Sequence, residues 1–280
     1  MWLAKKMDLD KNIHPGKYRI TNGMNKRQII NLLKYGKEEK IKLTINSQIH
    51  NLEEFTEYVA DKLEMNENEI EEYLSDEKKL ETGFFENNQG IDPDNCFALI
   101  SPGVFEISWA VKTDAFFDLI KNRFMNVWNK TRINQQKKTG LSIPEIITLA
   151  SIVQCESGIE SEQEKIAGVY INRLNKNMLL QADPTLKFAN KNYDAIRLYD
   201  KDKESNSPYN TYKFKGLPPG PVCLVNIQAL DATLNYAKHN YIFFCAKPEL
   251  NGFSDFSSTY TQHQKFAEKY QKEMDKRGVK

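Results

Sequence analysis

The chain has 280 residues, which at about 150 residues per domain is room for roughly two domains, and a chain this long buries roughly three quarters of its unfolded surface. Lys and Arg number 39 against 38 Asp and Glu; the formal net charge of +1 offers neither the basic excess of a dedicated nucleic-acid binder nor an acidic disordered tail. With 40% hydrophobic residues, 15 Phe and 13 Tyr, the body of the chain is expected to pack a core rather than stay disordered.

Residues 1–80 read as small αβ units. Lys17 to Ile20 alternates polar and apolar and is expected as a strand, turned by Asn22-Gly23. Asn25 to Leu33 follows as a short helix with Ile29, Leu32 and Leu33 apolar, and Lys40 to Ile45 alternates again as a second strand. Leu52 to Leu63 is a second helix, and Glu67 to Leu80 a charged, solvated one from which no chemistry is expected. Gly83 to Asp94 is a turn-rich connection, after which Cys96 to Ile100 and Val104 to Trp109 read as strands around Ser101-Pro102-Gly103. Ala115 to Thr131 is a helix whose aromatic face (Phe116, Phe117, Phe124, Trp128) suits a core, and Gln135 to Gly140 is polar and flexible, a boundary between parts.

The informative stretch begins at Ser142. Ser142-Ile143-Pro144-Glu145 is a capping box with Pro in the first turn, and the helix behind it sets Ile146, Leu149, Ala150 and Val153 on one face. At about 100° per residue Glu156 falls about 20° from Leu149, at the margin of the apolar stripe. A carboxyl held there loses water, its pKa rises, and it can serve as a general acid; a helix-terminal Glu turned to solvent is the plainer alternative. Gly158 ends the helix. Ser161 to Glu164 reads as a second capping box, opening a helix with Ile166, Val169, Tyr170 and Leu174 apolar and Arg173 within that face. Arg173 should therefore find a partner, line a cleft, or snorkel to water. Asp183 is placed at the N-cap and Pro184 at the first turn of a short helix, and capping alone could explain Asp183. Ser207 to Tyr212, running into Gly216 to Pro221, is a stiff loop: either purely structural or suited to stacking and hydrogen-bonding a sugar. Asn226 caps a further helix, Tyr241 to Ala246 is a buried strand, Phe253 to Phe256 a short one, and an amphipathic helix starts at Thr259.

The four cysteines (96, 155, 223, 245) lack C-x-x-C spacing and are expected as reduced, mostly buried thiols. The four histidines (14, 50, 239, 263) lack H-x-x-x-H spacing, so a zinc hydrolase is not indicated. The richest apolar run, Ile146 to Val153, is far short of the about 18 residues a spanning helix needs, and no signal peptide follows Met1, so the sequence in hand is expected to be soluble.

Taken together, Leu149-Ala150-Ser151-Ile152-Val153-Gln154-Cys155-Glu156-Ser157, Ala167-Gly168-Val169-Tyr170-Ile171-Asn172-Arg173-Leu174, Leu180-Gln181-Ala182-Asp183-Pro184-Thr185, Tyr209-Asn210-Thr211-Tyr212 and Gly216-Leu217-Pro218-Pro219-Gly220-Pro221 resemble the endolytic murein transglycosylase (MltG, YceG-like) family. Residues 16–24, with Gly16-Lys17-Tyr18-Arg19-Ile20, are similar to that family's LysM-like module. The resemblance implies an α+β protein: a LysM-like αβ module over 1–80, connecting strands and a helix over 81–140, and a mixed α/β catalytic domain over 141–280. It implies cleavage of the MurNAc–GlcNAc bond of peptidoglycan glycan strands to leave 1,6-anhydro ends, with Glu156 as the single general acid/base. Ser157, Asn172, Arg173, Gln181, Asp183, Thr185, Tyr209, Asn210 and Tyr212 would contact or shape the glycan site. No metal or other cofactor is implied. Family members carry residues before this point, including one membrane-spanning helix. The resemblance therefore implies a protein anchored in the cytoplasmic (inner) membrane and facing the periplasm or wall, with cell-wall synthesis proteins as further partners. Three departures stand out: Gln154 where many members have Glu, Ser254 where members often have His, and Ser101-Pro102-Gly103-Val104-Phe105 in place of a Pro-Asp/Asn-Thr-Tyr stretch. Two other readings stay open: a two-carboxylate glycoside hydrolase using Glu156 and Asp183, and a peptidoglycan-binding protein with a degenerate catalytic domain.

Overall fold

Local capping starts many of the helices. Asn25 accepts from the Gln28 N–H, and the Gln28 side chain returns the bond, opening α2 (Lys26–Tyr35) after a short α1 (Trp2–Lys6). Asn51 opens α3 (Leu52–Lys62) and Asn66 opens α4 (Glu67–Ser75) in the same way, by accepting a third-residue N–H. The structure, a computed structural model, describes residues 2–9, 13–36, 38–84, 95–195 and 198–278.

Strand β1 (Ile41–Ile45) pairs antiparallel with β2 (Gly103–Ile107), setting Leu43 opposite Phe105 and Ile45 opposite Gly103. Alternation turns Leu43 and Ile45 inward, where both are buried. Lys17 to Ile20 forms no strand, and Ile20, the apolar end of its alternation, is exposed. The charged run is two helices, α4 and α5 (Glu77–Phe84), broken at Asp76, and it is not merely solvated: Ile70, Leu74 and Leu80 are buried. The turn-rich connection expected from Gly83 begins inside α5, and its residues 85–94 lie outside the described residues. Cys96 to Ile100 is not a strand but a single 3-10 turn, Cys96–Leu99, buried on every side; a short apolar run has no period that separates the two.

Helix α6 (Thr113–Val127) buries Phe116, Phe117, Ile120 and Phe124 as expected. The stretch expected to be flexible is helical: α7 (Lys130–Thr139) covers it, capped by Asn129 and closed by Gly140 at φ 77°. Arg132 holds this polar helix in place, donating to both carboxylate oxygens of Asp231 at 2.7 and 2.8 Å. Helix α8 (Ile143–Glu156) starts at the expected Ser142 capping box. Helix α9 (Glu160–Asn175) does not start at a Ser161 box: Ile159 stands at its N-cap, and Glu162 is buried, accepting from the Ser254 N–H at 2.7 Å and from Lys165 at 3.0 Å. Helix α10 (Asp183–Ala189) has Ala182 at the N-cap, so Asp183 is its first residue and its carboxylate is released from capping. Asn226 caps α11 (Ile227–Leu234) and Thr259 caps α12 (Tyr260–Lys276). Between them β3 (Phe243–Ala246) pairs antiparallel with β4 (Ser254–Ser257); β3 is half-buried with Ala246 exposed, not buried throughout.

With helices and two small antiparallel sheets, the architecture is α+β. One core joins β1, α3, α4 and α6 to the start of α8 (Ile143, Ile146, Ala150) and to α11 (Ala229, Leu230, Leu234). A second packs the rest of α8 (Leu149, Ile152, Val153) against α9 (Ile166, Ala167, Tyr170), Leu180 and Val222. The site lies where α8 leaves this second core.

Candidate active site

Apart from Glu145 in its first turn, helix α8 is buried from Ile143 to Val153 and emerges over its last turn, which puts Glu156 part-exposed at its end. The neighbouring α9 turns Tyr170 and Arg173, three residues apart, to the same side. Tyr170 donates its hydroxyl to Glu156 Oε1 at 2.6 Å. Close approach of α9 to the chain leading into β3 needs Gly168: a Cβ there would stand 2.4 Å from the Ala237 carbonyl oxygen.

Glu156, Arg173, Leu180, Gln181, Asp183, Tyr212, Phe244 and His263 line a cleft of about 290 Å³. Packing around the Glu156 carboxyl raises its pKa to about 7, chiefly by desolvation; Tyr170 pulls it down by hydrogen bonding, the Asp183 charge pushes it up, and Lys187 and Arg173 pull it down. Tyr170 is held well above the ordinary tyrosine range by burial and by the adjacent carboxylate. Tyr212 moves the same way, by burial and by donating to Asp183 Oδ1. Arg173 is anchored on backbone carbonyls, donating to Ile242 O and Leu180 O at 2.7 Å each, and its guanidinium lies 5.3 Å from the centre of the Phe243 ring. Burial and Arg173 lower the His263 pKa, its ring stacks on Phe243 at 5.2 Å, and its buried Nδ1 has no hydrogen-bond partner among the described residues.

The cleft wall is tied across the fold. Gln181, at φ 50°, donates its N–H to Thr211 O at 3.1 Å, and the Ala182 N–H reaches Thr211 Oγ1 at 3.0 Å. This pairing sets Asp183 beside Tyr212.

The structure thus brings Glu156, Arg173, Gln181, Asp183 and Tyr212 together. It places the other expected residues in the supporting frame. Ser157 caps α8, its Oγ accepting from the Ile159 N–H at 3.2 Å. Asn172 donates to His239 O and Tyr241 O at 2.7 and 2.9 Å, tying α9 to the approach to β3. Thr185 is buried against Thr211, with 2.7 Å between their hydroxyls. Asn210 is buried and donates to Lys203 O and Ser205 O at 2.9 and 2.8 Å. Tyr209 packs tilted against Phe188, ring centres 4.3 Å apart, and lines a different, more apolar recess with Asn51, Phe97 and Tyr193. Tyr170, Leu180, Phe244 and His263 were not anticipated as site residues. A Tyr three positions before a buried Arg was a usable signal for the first; Leu180 comes from the segment between α9 and α10, and Phe244 and His263 from β3 and α12, whose approach no local pattern encodes.

Two of the departures have structural roles. Gln154 turns away from the cleft, donating to Leu224 O at 3.1 Å and accepting from the Asn226 N–H at 2.8 Å. Ser254 meets Glu162 through its backbone.

The YceG-like family model matches residues 1–269. The endolytic murein transglycosylase of Bacillus subtilis (strain 168) is 39% identical over 145 residues, 52% of this chain and 39% of that protein. That of Streptococcus pneumoniae (serotype 2, strain D39) is 34% identical over 114 residues, 39% of this chain and 21% of that protein. In these matches the chain spans at most about two fifths of the length of its curated relatives. The crystal structure of a YceG-like protein from Listeria monocytogenes aligns with a TM-score of 0.67 at 26% identity, covering 94% of this chain and 88% of that one. No helix among the described residues is long and apolar enough to cross a membrane. A match over nearly the whole length, on a fold shared with a solved member, establishes that the chain belongs to the YceG-like family.

Proposed function

We propose that this chain is an endolytic lytic transglycosylase acting on peptidoglycan glycan strands, with Glu156 as its single general acid/base. The observation that carries the reading is a carboxyl with a pKa of about 7, hydrogen-bonded by a buried tyrosine and opening into a polar cleft. The two relatives named endolytic murein transglycosylase supply the substrate class.

Near pH 7 about half the Glu156 population is protonated, so the group can give and take a proton in one cycle. Protonated Glu156 donates to the glycosidic oxygen as the bond from MurNAc C1 breaks. The sugar gains oxocarbenium character, and the carboxylate left behind takes the proton from its 6-hydroxyl as that oxygen attacks C1. The nucleophile is already part of the substrate, so the site needs orientation and exclusion of water rather than a second carboxylate. Tyr170 keeps the carboxyl aimed through both proton states. Arg173, Gln181, Asp183, Tyr212 and His263 supply donors and acceptors for hydroxyl and acetamido groups, and Phe244 supplies an apolar wall. β1, α3 and α4, with β2 contributed from beyond the expected 1–80 module, support a LysM-like glycan-binding part. Placement at the outer face of the cytoplasmic membrane, among cell-wall synthesis proteins, goes with this reading and is carried by the family resemblance alone.

Asp183 in the same cleft supports a second reading, two-carboxylate hydrolysis. Mass spectrometry of purified peptidoglycan digested with this chain separates the two. Internal fragments with 1,6-anhydro ends are expected, and Glu156→Gln should slow their formation by about 10²–10⁴-fold or more while glycan binding persists. Reducing ends that carry solvent oxygen would replace the transglycosylase by a hydrolase. Full activity of Glu156→Gln would remove Glu156 from either mechanism.

A further inference from the structure

Two thiols outside the cleft touch each other beside Glu156. Cys155 precedes it in the last turn of α8, and Cys223 lies in the segment 221–225, with 3.5 Å between their sulfurs. That segment is fastened along the helix. Ser151 Oγ accepts from the Val222 N–H at 3.0 Å, and Ser151 O lies 3.8 Å from Cys223 Sγ. Gln154 Nε2 reaches Cys223 Sγ at 3.2 Å as well as Leu224 O, and the Leu224 N–H is bonded to Ile49 O at 3.1 Å. The pair is asymmetric: Cys223 is buried, whereas Cys155 is an exposed residue whose thiol leans inward toward its partner. The hydrogen bond from Cys223 holds the Cys155 thiol below its ordinary pKa, which favours the nucleophilic thiolate.

We propose that Cys155 and Cys223 form a reversible disulfide site, oxidised by low-molecular-weight disulfides, and that its closure moves Glu156 out of position. The Cys155 thiolate attacks one sulfur of the external disulfide, breaking its S–S bond and releasing one thiolate. Cys223 then attacks Cys155 Sγ, forming the internal bond and expelling the second external thiol, which leaves with the Cys223 proton. Two protein thiols are oxidised and one external disulfide is reduced to two thiols. A disulfide bond is about 2.05 Å long, so the sulfurs must close by about 1.5 Å from their present 3.5 Å. The Cys223 segment is bonded to Ser151 and Gln154 of α8 itself and, outside the helix, to Ile49, so closure is taken up within the last turn of α8, which carries Glu156 away from its 2.6 Å bond to Tyr170. The effect on Glu156 rests on the transglycosylase reading; the bond itself does not.

The test is incubation with oxidised glutathione, acid quench, alkylation and peptide mapping by mass spectrometry. Expected are a loss of two hydrogens per chain and one peptide pair joined through Cys155 and Cys223, absent in Cys155→Ser. Peptidoglycan cleavage should fall at least about tenfold and return with dithiothreitol, because about 1 Å of misplacement at a reacting group costs on the order of 10²-fold. Cys155→Ser, at an exposed position, should cleave equally with and without oxidant. Glutathione adducts without the Cys155–Cys223 link would overturn the disulfide site. A linked chain cleaving at full rate would overturn its effect on Glu156. If the reduced chain does not cleave at all, the transglycosylase reading fails separately, and a carbon-13 titration of the Glu156 carboxyl decides the coupling: its midpoint must move on oxidation, and an unmoved midpoint refutes it.

Discussion

Glu156 is set between opposing influences, and each can be altered singly. Tyr170 donates to the carboxylate and so favours the charged form. Tyr170→Phe removes that bond without changing the ring, so the Glu156 pKa should rise. The acid form then survives to higher pH, and the alkaline limb of the rate profile moves upward, with a lower maximum because the carboxyl is no longer aimed. Asp183 acts in the opposite direction, its negative charge raising the Glu156 pKa. In Asp183→Asn the pKa should fall and the alkaline limb should move to lower pH. Anhydro ends should persist at a rate reduced by roughly tenfold, whereas a two-carboxylate hydrolase would lose about 10² or more. Rate profiles from pH 5 to 9, with product ends assigned, check both substitutions.

At the scale of elements, the site is a product of how closely α9 packs. Tyr170 and Arg173 reach the cleft because Gly168 lets α9 rest against Ala237 and His239, with no room for a methyl group. Gly168→Ala should push the helix outward, costing about 1–3 kcal/mol of stability. Thermal unfolding should show a Tm lower by several degrees, and cleavage should weaken although no cleft residue has changed. Helix starts were legible in sequence where the cap is a side chain: Asn25, Ser142, Asn226 and Thr259 all act within their own next turn. The start of α9 was not, because no side chain caps it: Ile159 stands at its N-cap, and the first turn is held through Glu162 by Ser254, 92 positions away. The helix over Lys130–Thr139 escaped for the same reason: it is held by Arg132 on Asp231, an attachment no polar ten-residue window displays.

Across the whole molecule, the first core crosses the boundary that the polar stretch near residue 140 suggests. Ile143, Ile146, Ala150, Leu224 and Leu230 share it with Leu43, Phe55 and Phe116, and stacking of His50 on Tyr193 at 4.2 Å adds a second junction. A fragment of residues 141–280 would expose that apolar face. It should melt without a cooperative transition and bind a hydrophobic dye, whereas the full chain should unfold cooperatively. Calorimetry with dye titration reads this out, and a cooperative transition in the fragment would mean that the catalytic part folds alone.

The sequence by itself determined the caps at Ser142 and Asn226, the apolar stripe of α8, the place of Glu156 at its margin, the resemblance to the family and the α+β class. These depend on neighbours within one or two turns, or on ordered blocks of residue types. Tertiary structure decided the rest. It placed Phe244 and His263 in the cleft by bringing β3 beside α9 and α12 against β3. It assigned Asn172, Thr185 and Asn210 to the frame, because a polar side chain withdrawn from water, wholly for Thr185 and Asn210 and partly for Asn172, spends its hydrogen bonds on the nearest backbone. It made a 3-10 turn of Cys96–Leu99, and it set Cys155 against Cys223 from 68 residues away. Residues that far apart meet only when the cores close around them, and no local period records where that closure puts them.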